Sequence, residues 1–157
     1  MKKILSLILF SLIANSISAT DSPFHNEESR LIAHAKEFFY DKNYSASYRY
    51  TEELLAEGVD NEEEKREAEY ISALSSYYLR NSDAISKLKL YVLNYPYASE
   101  KDRFNLYIGI LEIEEGKEKE ALKRLELVRM ENLCAEDVDA LFFYRGYAYV
   151  DRKKYEE

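Results

Sequence analysis

From residue 27 onward, apolar side chains recur at the three- and four-residue spacing of helices with one buried face. That pattern predicts helices at 27–41, 44–57, 62–80, 82–94, 99–115, 118–130 and 136–152, with another starting at Lys153. The breaks fall at Lys42-Asn43, Gly58 to Asn61, Asn81, Tyr95-Pro96, Gly116-Lys117 and Asn132 to Cys134, with a polar interruption from Asp151 to Lys154. Asn61 with Glu64 three residues on fits an N-terminal capping box, and Ser99 with Asp102 is a weaker version. Pro96 ends its helix, because proline disfavours helical geometry in the residue before it. In the last helix Phe142, Gly146 and Tyr149 fall at i, i+4 and i+7, on one stripe. A glycine there costs a helix about 1 kcal/mol relative to alanine, which makes sense where a neighbouring helix comes very close.

The pattern also repeats at longer range. Stepping back 37 residues from Gly146 gives Gly109, Ser72 and Ala35, all small. The same step from Ala121 gives Ala84 and Ser47, from Leu125 gives Leu88 and Thr51, and from Val128 gives Tyr91 and Leu54. Four series kept in step point to stacked repeats, in which a two-helix unit buries its apolar face against its neighbours.

The stretch from Ala140 to Glu157 is similar to the tetratricopeptide repeat, a helix–turn–helix unit with small and aromatic residues at fixed places. The similarity lies in Phe142, the run Gly146-Tyr147-Ala148-Tyr149, and Tyr155 followed by two glutamates. Ile108-Gly109 with Gly116 and Ala121, and Ala84 with Leu88 and Pro96, match as well. The resemblance covers residues 27–157 as three full units and a truncated fourth. It implies an all-α fold, an α-solenoid of antiparallel helix pairs. The period of 37 exceeds the usual 34 of that family, Ser47 and Thr51 make the first unit degenerate, and Glu112 stands where an aromatic is preferred.

What the resemblance implies for function is a binding surface. In that family the first helix of each pair lines a concave face. The side chains expected there are Ile32, Glu69, Leu106 and Phe143 in one row and Lys36, Ala73, Ile110 and Tyr147 in a second. A third row is Phe39, Ser76, Ile113 and Val150, and a fourth is Tyr40, Tyr77, Glu114 and Asp151. These rows predict a hydrophobic groove with aromatic walls, suited to a helix or an extended apolar segment of a protein partner. The competing expectation is that the same stripe is core.

Met1 to Ala19 changes the cellular setting. Lys2 and Lys3 precede an apolar run from Ile4 to Ile13, and Ser16, Ser18 and Ala19 suit a cleavage site. The run is about ten residues, against roughly 20 for a bilayer span. It reads as a secretory signal at 1–19, with a linker at 20–26, and predicts export to the periplasm or cell envelope of a Gram-negative bacterium without stable membrane insertion. Removing it takes the net charge from −8 to −10, a surface that repels phosphate backbones, so nucleic acid is not expected as a partner. Four glycines and two prolines in 157 residues argue against an all-β fold.

Candidate chemistry is sparse. His25 and His34 have no cysteine or carboxylate at metal-site spacing, and no phosphate-binding loop or nucleophile elbow occurs. Glu62-Glu63-Glu64 reads as acidic residues favouring a helix N-terminus. Cys134, the single cysteine, reads as a small core residue at a helix edge. Neither catalysis nor a cofactor is expected. Tyr155 opens a helix that stops within a turn, so the chain reads as the N-terminal part of a longer protein or a broken gene product. Its own uncapped end around Phe142 and Tyr149 is expected to self-associate. Two functions remain: a non-catalytic scaffold presenting a groove to protein partners, and a spacer array preceding an activity held elsewhere.

Overall fold

Seven α-helices and one 3-10 turn make up the described residues, and no strand occurs among them. The structure is a computed structural model that describes residues 23–154, with side chains from Arg30 to Val150. The expected leader, residues 20–22 and residues 155–157 lie outside the described residues. The helices are α1 (Pro23–Tyr40), α2 (Tyr44–Glu57), α3 (Glu62–Leu79), α4 (Ala84–Asn94), α5 (Lys101–Glu114), α6 (Glu118–Glu126) and α7 (Ala135–Lys154), with the 3-10 turn at Met130–Asn132. None is long and apolar enough to cross a membrane.

Local chemistry explains most of the boundaries. Asn61 caps α3 by accepting from Glu63 N at 2.9 Å and Glu64 N at 3.3 Å, as expected. Asn43 caps α2 in the same way, accepting from Ala46 N at 3.3 Å. The ends of α1, α3 and α5 share one turn. Lys42, Arg80 and Gly116 take left-handed φ values of 59°, 56° and 74°. The next N–H then reaches back five residues: Asn43 to Phe38 O at 2.8 Å, Asn81 to Ser76 O at 3.1 Å, Lys117 to Glu112 O at 2.8 Å. This Schellman arrangement prefers glycine, so only Gly116 announces it plainly.

Four boundaries differ from expectation. Helix α1 begins at Pro23, inside the stretch expected as linker; proline suits the first helical position, where its missing N–H has no partner to lose. Ser99 does not cap α5, because the cap residue is Glu100 and Asp102 turns instead to Arg129 and Asn132. Helix α6 stops at Glu126 rather than near residue 130. Arg145 from α7 donates to the carbonyls of Leu125 and Val128, which satisfies the helix end. Helix α7 runs unbroken through Lys153: Asp151 to Lys154 are polar but contain no glycine or proline, and Arg and Lys are good helix formers.

Each helix packs on the next in sequence, and α1 with α3 and α5 with α7 pack as well. Helix α5 is the centre. Phe104 and every residue from Leu106 to Ile113 are buried, as a helix apolar nearly all round must be. A smaller cluster of Ile32, Leu54, Ala68 and Ile71 joins the main core through Phe39 and Tyr70, which pack against both.

The small residues act at close approaches. A Cβ built on Gly109 would lie 2.6 Å from Leu125 Cδ2 and 2.8 Å from its Cγ, so α6 packs where a side chain would otherwise stand. Ala35 and Ser47 are both fully buried, and Ser47 Oγ donates to Ala35 O at 2.8 Å. Ser72 Oγ donates to Glu52 at 2.7 Å. On the second helices Ala84, Leu88, Tyr91, Ala121 and Leu125 are likewise buried, as is Val128 just beyond the end of α6. Gly146 is the exception: it is exposed, with nothing within 4 Å of its would-be Cβ. Its stripe partners Phe142 and Tyr149 are exposed as well. Tyr149 reaches Glu126 at the end of α6 through its hydroxyl, so the stripe meets α6 by a side-chain tip and not by close backbone approach at Gly146.

Glu112, where an aromatic was expected, is an ion-pair centre. Its carboxylate is 3 % exposed and receives Arg124 Nε at 3.0 Å from α6 and lies 2.8 Å from Lys89 Nζ of α4. Burial opposes the charge, but the bonds from Arg124 and Lys89 outweigh it and hold the carboxyl below its ordinary value near 4.5. One buried carboxylate thereby ties three helices.

Two tests follow from this packing. Gly109→Ala should lower the unfolding free energy by about 1–3 kcal/mol, since Leu125 must move in a closed core. Gly146→Ala should raise it by up to about 1 kcal/mol through helix propensity; equal effects in urea denaturation would refute the difference in packing. Glu112→Gln should cost roughly 1.5–3 kcal/mol at neutral pH. Because the folded pKa is lowered, the charge contribution is complete above the ordinary carboxylate range and is lost as pH falls through the lowered value. The stability gap between wild type and Glu112→Gln should therefore narrow below about pH 4.

Candidate partner-binding surface

The sixteen side chains expected to line a groove do not share one surface, as the first two rows with Tyr40 and Tyr77 already show. Ile32, Ala73, Tyr77, Leu106 and Ile110 are buried. Lys36 and Glu69 are half-buried and engaged, Lys36 with Glu67 at 2.6 Å and Glu69 with Asn94 at 3.4 Å. Tyr40, Phe143 and Tyr147 are exposed. Of the outer rows, Ser76 and Ile113 are buried, Phe39 is half-buried, Glu114 and Val150 are exposed, and the side chain of Asp151 lies outside the described residues. The rows are thus interrupted at α3 and α5. Helix α5 sinks because no side of it is polar enough to face water, and α3 because Ser72, Ala73, Ser75 and Ser76 let neighbours close on it from more than one side. A fully buried side chain has no access to a partner while the fold is intact.

The fold does assemble a strip of rings across the first helices. Phe39 of α1 packs edge-on to Tyr44 of α2 with centroids 5.5 Å apart, and Tyr44 stacks on Tyr78 of α3 at 4.4 Å. Its neighbour Tyr77 stacks on Tyr107 of α5 at 4.2 Å with the planes 4° apart. Tyr40 stands at one end of the strip beside Phe39. On α7 the Phe143 ring meets that of Tyr144 at 5.1 Å, and Phe143 and Tyr147 are exposed. Each such pair adds about 0.5–1.5 kcal/mol beyond the area it buries. The strip therefore joins helices internally while exposing Tyr40 and Tyr78, and α7 exposes Phe143 and Tyr147 separately.

Two arginines set its electrostatics. Arg80 lies 4.8 Å from the Tyr77 ring centroid and 3.1 Å from Glu114. Arg103 Nε donates to the Tyr107 hydroxyl at 2.8 Å and lies 2.9 Å from Asp137 Oδ2. The Tyr107 hydroxyl donates in turn to Asp137 Oδ1 at 3.0 Å. Asp137 is buried in the first turn of α7, so this triad pins α7 to α5. Burial pushes the Tyr77 hydroxyl up to about 12, against the pull of Arg80. Burial also raises Tyr107. Both are neutral at pH 7, and the strip offers ring faces and hydroxyls rather than acid–base groups.

Sequence reasoning chose Tyr77 where Tyr78 is the outward ring, and it passed over Tyr44 and Tyr144. Adjacent residues on a helix point about 100° apart, so a Tyr-Tyr pair beside a buried run places one ring inward and the other at the edge. Cys134, expected in the core, is exposed, because residues 127–134 leave the helical packing before α7 begins. His34 is also exposed, 3.8 Å from Glu37 and with its ring 5.8 Å from that of Tyr50.

Compared with protein-family models, curated proteins and solved structures, the chain has no match.

Proposed function

We propose that this chain is a tetratricopeptide-like helical scaffold of the bacterial cell envelope, non-catalytic, that binds a segment of a protein partner along its aromatic strip. The observation that carries this reading is a run of ring contacts from Phe39 through Tyr44 to Tyr78 and from Tyr77 to Tyr107, across α1, α2, α3 and α5. It leaves Tyr40 and Tyr78 exposed, with Phe143 and Tyr147 exposed on α7. Exposed aromatic rings held rigid by packing are the kind of anchor that carries binding energy at interfaces. A repeat architecture is supported by the same left-handed end on α1, α3 and α5, at Lys42, Arg80 and Gly116. The burial of the small and apolar residues that recur every 37 positions from Ala35 to Val128 supports it too. Export rests on the leader from Met1 to Ala19.

A spacer role is the second reading, favoured by the burial of Ala73, Leu106 and Ile110 where a groove floor was expected. Photo-crosslinking amino acids at Tyr40 and Phe143 in cells separate the two. A scaffold gives one adduct common to both positions, and the partner so identified binds purified Tyr40→Ala plus Phe143→Ala at least about tenfold more weakly. Circular dichroism should not change, since both rings are exposed. No shared adduct would leave the spacer reading standing.

A further inference from the structure

A second surface lies on the other side of α5. The α4–α5 connection, the first turn of α5 and the last turn of α6 enclose a cleft of about 870 Å³. It gathers Lys101, Lys123, Arg124 and Arg129 against two acidic residues, Asp102 and Glu120. Arg124 and Arg129 are matched by Glu112 and Asp102, which leaves Lys101 and Lys123 against Glu120, a small basic excess on a chain whose net charge is −8. Its rim carries Tyr97, 98 % exposed, and Leu127, 79 % exposed. A single exposed apolar side chain is ordinary; two on the rim of one cationic cleft give it apolar jaws.

The walls are built. Asp102, 5 % exposed, takes Arg129 Nε at 3.1 Å and also Asn132. Arg124 is fixed between Glu112 and Asn105 Oδ1, the latter at 3.1 Å. These two arginines are held in place by buried or half-buried acceptors, so the wall does not need ordering when a ligand arrives. Lys101 and Lys123 line the same cleft without an ion pair among the described residues. They are the charges left for a ligand.

We infer that this cleft docks an acidic segment of a partner protein, with one apolar side chain seated between Tyr97 and Leu127 and carboxylates facing Lys101 and Lys123. A polyanion fits less well. Phosphate backbones need many free cations, whereas both arginines here are committed to carboxylates and only Lys101 and Lys123 remain. The jaws would also have nothing to bury.

The test is an array of 12-residue peptides in which Asp/Glu content and the presence of a Phe or Leu vary independently, followed by fluorescence anisotropy with the full chain. Retained peptides should be both acidic and apolar-bearing. Lys101→Glu plus Lys123→Glu should weaken the best of them at least about tenfold, with a steep loss on raising salt. Leu127→Ser should weaken peptides that carry the apolar residue and leave those without it unchanged. Retention without acidic enrichment, no retention at all, or binding that survives the charge reversal would overturn the inference. So would polyphosphate or heparin displacing every retained peptide and binding more tightly.

Discussion

A helix that is apolar on every side has to be enclosed, and α5 is that helix. From Phe104 to Ile113 nearly every side chain is buried, and what surrounds them decides the rest of the molecule. Helix α6 closes over Gly109, with Leu125 in the space a Cβ would fill. Helix α3 closes through the Tyr77–Tyr107 and Tyr70–Phe104 stacks. Helix α7 is pinned by Arg103 and Tyr107 to Asp137. The one charge within this segment, Glu112, is tolerated because two cations reach it from α4 and α6. A buried carboxylate without such partners would be far more costly than any single packing contact here.

Because the enclosure is made by side chains that also reach the surface, the outer faces inherit their chemistry from the core. Arg124 is the clearest case: it neutralises Glu112 on its inner side and forms part of the cationic cleft on its outer side. Asp102 works in the opposite sense, a buried carboxylate that fixes Arg129 at the rim. The aromatic strip is likewise the outer edge of the ring contacts that hold α1, α2, α3 and α5 together. Arg124, Arg129 and the stacked rings are thus held in place by the core itself.

Among the described residues the order of the seven helices and most of their ends were legible in the sequence, because periodicity, Asn61, Pro96 and Gly116 act locally. At Lys153, where an eighth helix was expected, α7 simply continues. What escaped was set by contacts between distant residues. Helix α6 stops early because Arg145, some twenty residues later, takes its carbonyls. Asp102 looks like a capping residue in sequence, yet partners on the far side of α6 draw it away. The binding rows failed for a different reason. A spacing of three and four assigns Leu106 and Ile110 to a face of α5, but it does not say whether that face is open. The all-round apolar composition of the segment does say so, and it points to the core.

Gly146 brings these strands together. At Gly109 the missing side chain is filled by Leu125, and the helix-propensity loss of about 1 kcal/mol is offset by a closer fit. At Gly146 nothing occupies the same space, so α7 keeps its place by other means. Leu141 and Ala148 are fully buried against the core, Asp137 holds its first turn, and Arg145 bonds the end of α6. Two glycines alike in sequence therefore have opposite energetic roles, and the deciding factor is whether a neighbouring side chain fills the place of the Cβ.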